Sequence, residues 1–123
     1  MGQPIRVVVA NRPRLMRELV LEIISEQPDI KIVAEIQNED EIIGIVDGAQ
    51  PDVLIVALDS SDQRPQFCDT LLRRYPEMTV LGLAPERNRS TLFWVSFDIH
   101  ESPVEASEAG ILSTLRRGGQ FVA

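Results

Sequence analysis

The sequence predicts an α/β fold, a central parallel sheet covered by helices on both faces. Three observations carry this expectation. Val53 to Leu58 is an unbroken apolar run of six residues, rich in β-branched side chains. So short a run suits a strand buried on both faces better than a helix. The flanking stretches carry apolar residues at three- and four-residue spacing, the pattern of amphipathic helices. Strand-like and helix-like stretches then alternate as β-α-β-α-β-α-β as far as Ala84, which sets successive strands parallel. In open sheets of this kind ligands and chemistry collect beyond the carboxyl ends of the central strands. The segment Ala57 to Asp62 stands at that place.

Taken in order, Ile5 to Ala10 reads as the first buried strand. Asn11, Arg12 and Pro13 turn the chain into a helix, and Pro13 suits a first helical position, where a missing N–H costs nothing. Leu15, Met16, Leu19, Val20, Ile23 and Ile24 form one apolar stripe, and Gln27-Pro28-Asp29 ends that helix. Ile30 to Ile36 is a second strand, its apolar residues alternating with Lys31 and Glu35. Asn38, with Glu41 three residues on, resembles a capping box for a short helix. Ile42, Ile43, Ile45 and Val46 form its inner side, and Gly48 is its expected stop. The central strand follows. Gln66 to Tyr75 is the next helix, with Phe67, Leu71, Leu72 and Tyr75 on one side, and Thr79 to Ala84 is the fourth strand.

The pattern then breaks. Only Pro85 to Thr91 separate the fourth strand from the next apolar pattern, and a parallel crossover needs a dozen or more residues. The fourth helix is therefore expected to be missing or very short. Phe93, Val95, Phe97 and Ile99 alternate with Trp94, Ser96 and Asp98, the mark of a strand buried on one face. We expect one edge strand over 92–100, running antiparallel to the fourth. The last helix is expected from Ser107 as cap, with Ile111, Leu112 and Leu115 inward; Ser102-Pro103-Val104-Glu105 offers an earlier start. Gly110 weakens the longer helix by about 1 kcal/mol relative to Ala. Residues 118–123 read as a loose tail.

Composition narrows the function classes. The chain has 123 residues, 44% apolar and 25% charged, which is expected to make one domain over 1–123 around a single core. A net charge of −7 argues against binding a nucleic-acid backbone. No run approaches a membrane span and no secretory leader is evident, so a cytoplasmic setting is expected. Cys68 is the single cysteine, which excludes a disulfide framework within the chain. His100 is the single histidine, beside Glu101, with no ligand spacing around it. It reads as a strand-end surface residue rather than a metal ligand. Cys68, next to Phe67 on a helix, reads as a small packing residue rather than a redox switch. No Gly-rich phosphate loop follows the first two strands, so dinucleotide binding has no support, and no cofactor is expected.

Ile5-Arg6-Val7-Val8-Val9-Ala10, Leu15-Met16-Arg17-Glu18-Leu19, Gln27 to Glu35 and Pro51-Asp52-Val53-Leu54-Ile55-Val56 together resemble a response-regulator receiver domain. They are most similar to the subgroup usually followed by a helix-turn-helix module. The resemblance covers residues 5 to 84 and fades from 85 onward; its order and spacing are more specific than any one piece. It implies a flavodoxin-like, receiver-like three-layer α/β/α sandwich with strand order 2-1-3-4-5. It also implies two-component signal transduction, in which a phosphoryl group moves onto an aspartate at the end of the central strand. That chemistry needs a carboxylate nucleophile, carboxylates holding Mg²⁺, and a hydroxyl and a lysine that read out the phosphorylated state.

Position by position, this chain departs from the pattern. The nucleophile position falls on Ala57. The acidic pair after the first strand falls on Asn11 and Arg12, and a guanidinium repels a divalent cation. The hydroxyl position falls on Ala84. The lysine position falls near Ser102, and the one lysine of the chain, Lys31, belongs to the second strand. Asp59 lies two residues beyond Ala57; it reads as a turn residue or a partner for Arg12 rather than a substitute acceptor. The resemblance therefore implies an atypical pseudo-receiver without catalysis.

Two function classes remain. The favoured one is a phosphorylation-independent regulatory module, working through homodimerisation or a partner protein. Its expected surface is the edge strand, with Leu92, Trp94, Ser96, Phe97 and Ile99, because open strand edges and exposed aromatics mark association surfaces. The alternative for Trp94 is ordinary core beneath the last helix. The second class is a sensor of a small anionic ligand or nucleotide, using Arg12 and Arg14 at the crevice between the first and third strands, near a helix N-terminus. Both arginines equally suit solvation or pairing with Asp59 and Asp62.

Overall fold

In the computed structural model, residues 3–10, 14–58, 64–84, 89–95 and 99–117 are described, those at 14–17 and 117 by backbone alone. The chain forms β1 (Ile5–Ala10), α1 (Arg14–Ser25), β2 (Ile30–Glu35), a 3₁₀ turn (Glu39–Glu41), α2 (Ile42–Ala49), β3 (Val53–Ala57) and α3 (Gln66–Arg74). It continues as β4 (Thr79–Ala84), β5 (Arg89–Val95), β6 (Ile99–Val104) and α4 (Glu108–Arg117). One sheet takes the order β2-β1-β3-β4-β5-β6. β2, β1, β3 and β4 are mutually parallel, whereas β5 and β6 are antiparallel to their neighbours. This is an α/β fold with a mostly parallel six-stranded sheet, compatible with a flavodoxin-like arrangement.

Strand alternation divides the core in two. Val8, Leu54, Val56, Val80, Phe93 and Val95 face Ile42 and Val46 of α2 and Cys68, Leu71 and Leu72 of α3. On the opposite face Val7, Val9, Val53, Ile55, Leu81 and Leu83 meet Val20 and Ile24 of α1 and Ile111, Leu112 and Leu115 of α4. The unbroken apolar character of β3 follows: odd and even residues alike are buried, Val53 to Val56 each at 2% exposure or less. Beneath the sheet, Asp52 precedes β3 and accepts a hydrogen bond from the Arg6 N–H at 2.8 Å, pinning β1 to β3 at their entry. Arg116 binds Asp29 through Nε at 2.7 Å and holds the end of α4 to the loop before β2.

The edge differs from expectation. Residues 92–100 are not one strand, and they are not the sheet's edge. They span the end of β5, residues 96–98, which lie outside the described residues, and the start of β6. The alternation survived because a hairpin preserves facing: Val95 pairs with Ile99, and both meet the same core. β4 and β5 pair antiparallel from Ala84 and Arg89 onward, and no helix lies between them among the described residues. Ser102-Pro103-Val104 is strand rather than helix start. Pro103 sits on the outermost strand, where a missing N–H breaks no ladder and blunts further pairing. The sheet face over β5 is not left bare either: α3 covers it, leaving Phe93 at 1% and Val95 at 5% exposure.

Smaller corrections concern caps. Ser107 does cap α4, its Oγ accepting from the Gly110 N–H at 3.1 Å. Asn38 makes no side-chain cap; its amide donates to the Glu41 carboxylate at 3.2 Å. Gly48 does not stop α2. The helix runs on to Ala49 and ends at Gln50, whose φ of 45° and ψ of 64° are left-handed. No helix among the described residues is long and apolar enough to cross a membrane.

Candidate functional site: the carboxyl ends of β1, β3 and β4

β1, β3 and β4 lie side by side and end together. Ala10 follows the pairing of β1 with β3 to its last step, opposite Val56. Ala57 closes β3 opposite Leu83, and the Leu58 N–H donates to the Leu83 carbonyl at 2.9 Å. Ala84 ends β4, fully buried, opposite Arg89. Ala57 and Ala84 therefore stand at the carboxyl edge of adjacent strands, and neither offers a nucleophile, a ligand or a hydrogen-bonding side chain.

Between these strand ends and α2 and α3, the crevice retains a volume of about 10 Å³, lined by Ala10, Ile36, Ile42, Ala57 and Phe67, with Gln37 and Glu39 at its polar side. That holds one water at most. Among the described residues, the polar groups there are neutral or acidic. Asn11, Arg12 and Asp59 lie outside the described residues, and Arg14 opens α1 without a described side chain.

Ser102 is not brought to this site. It belongs to β6, opposite Leu92, on the face that carries α4. Three strand spacings separate β6 from β3, roughly 14 Å. The antiparallel return of β5 instead places Arg89 beside Ala84, at the same end of the sheet. Reading 85–91 as a loop missed this residue; the β-forming Thr91, Leu92 and Phe93 immediately after it were the available signal.

The interface candidates are dispersed. Leu92 is buried at 1% exposure beneath α4 and contributes no surface. Trp94 is half-buried on the α4 side, stacked on His100 across the hairpin with ring centroids 5.3 Å apart and planes at 21°. Ile99 is half-buried on the other face, and Ser96 and Phe97 lie outside the described residues.

Among the described residues, several charged groups tie elements of the fold together. Arg64 binds Asp69 across the first turn of α3. Arg74 donates to both oxygens of Asp47 at 3.0 Å, and the Tyr75 hydroxyl donates to the same carboxylate, tying α3 to α2. The Tyr75 and Arg74 bonds hold the Asp47 carboxyl below its ordinary range. Among the described residues no group of three or more His, Cys, Asp or Glu side chains could hold a metal ion.

Over 84 residues the chain is 31% identical to a protein-glutamate methylesterase/protein-glutamine glutaminase of Pyrococcus horikoshii. The match covers 66% of this chain and 22% of that protein, so the chain spans about a fifth of its relative's length. No family model matches. No solved structure matches. The similarity loosely fits a receiver-like domain.

Proposed function

We propose that this protein is a pseudo-receiver with a flavodoxin-like fold, a regulatory module that acts through protein association and carries out no phosphoryl transfer. The observation that carries the reading is the ending of β3 in Ala57 beside Ala84 at the end of β4. A receiver works through an aspartate and a hydroxyl at these positions, and a methyl group at each leaves nothing to form or stabilise an acyl phosphate. The distant similarity to a methylesterase supports a receiver-like signalling module in outline.

The module would work by dimerisation or by binding a partner protein through the hairpin side of the sheet. Pro103 blunts strand addition at the β6 edge, so side chains around the Trp94–His100 stack would carry the contact. Incubation with acetyl phosphate and Mg²⁺, followed by intact mass, should give no phosphorylated species; an added phosphoryl mass overturns the reading. Sedimentation should give a dimer at high micromolar concentration that Trp94→Ala weakens. A monomer throughout would remove the homodimer and leave only a heterologous partner.

A further inference from the structure

We draw no further inference here: the strongest candidate, the exposed face of α2 that carries Ile43, Gly44 and Gly48 beside the acidic turn Glu39–Glu41, is an unpartnered helix face, and nothing in the structure shows what covers it.

Discussion

Leu58 rests on the bare Cα of Gly82. A Cβ at Gly82 would lie 2.6 Å from Leu58 Cδ2 and 2.8 Å from its Cγ, closer than carbon atoms approach. Leu58 is itself buried at 5% exposure, so it has little room to withdraw. This contact joins the residue just beyond β3 to the middle of β4. Gly82→Ala should therefore destabilise the protein by about 1–3 kcal/mol, the cost of overpacking. The double variant with Leu58→Ala should fall short of the sum of its two single effects, because the two share one volume. Urea midpoints of the four proteins decide it, and strict additivity would show that the contact is not the cause.

Helical glycines should divide by sign. In α4, a Cβ at Gly110 would come 2.2 Å from the backbone oxygen of Glu105, an atom that cannot rotate away. In α2, Gly44 and Gly48 have nothing within 4 Å of the same construction. Propensity alone favours alanine at all three by about 1 kcal/mol. Gly44→Ala and Gly48→Ala should accordingly raise the melting temperature, by about 4–8 °C per kcal/mol, whereas Gly110→Ala should lower it. A rise at Gly110 would mean that the chain before α4 yields freely.

The fold was legible in the sequence up to β4 and again in α4, but not between them. Apolar periodicity gave the parallel half of the sheet, because each of those strands and helices repeats a local pattern that burial dictates directly. The β5–β6 hairpin was hidden because strand alternation reads the same before and after a turn when facing residues, here Val95 and Ile99, remain on one face. Ser102-Pro103-Val104-Glu105 reads locally as a helix start, and only the outermost place of this segment in the sheet, a tertiary fact, makes a strand with Pro103 acceptable. Ala57 and Ala84 were placed correctly at strand ends, since both lie in the parallel half. Ser102 was not, since its place came from a resemblance that fades beyond residue 84, and the β5–β6 hairpin carries it to the outermost strand.

The stop of α2 gives a third expectation. Gln50 holds a left-handed backbone, which glycine adopts without the steric penalty of a Cβ. The contacts made there are backbone ones: its N–H donates to the Val46 carbonyl at 2.8 Å, and its carbonyl accepts from Arg6 at 3.0 Å. Gln50→Gly keeps both and should stabilise the fold by about 1 kcal/mol in chemical denaturation, whereas Gln50→Val should cost at least as much.

Cys68 should behave as a packing residue whose thiol stays protonated well into the alkaline range. Burial pushes its pKa from 9.0 up to about 12, with Asp69 adding to the rise and Arg64 opposing it. In the native protein at pH 8, Ellman's reagent should find no reactive thiol, and in 8 M urea one equivalent. The linkage has a definite sign. A thiol whose folded pKa lies above its unfolded one contributes stability that is complete below pH 9 and is lost as the pH rises towards 12. Tyr75, raised by its hydrogen bond to Asp47, falls on the same alkaline limb. Stability measured by urea unfolding should therefore decline above about pH 9, and Cys68→Ala should flatten that decline without removing the part due to Tyr75. An unchanged slope in Cys68→Ala would assign the alkaline limb to other groups.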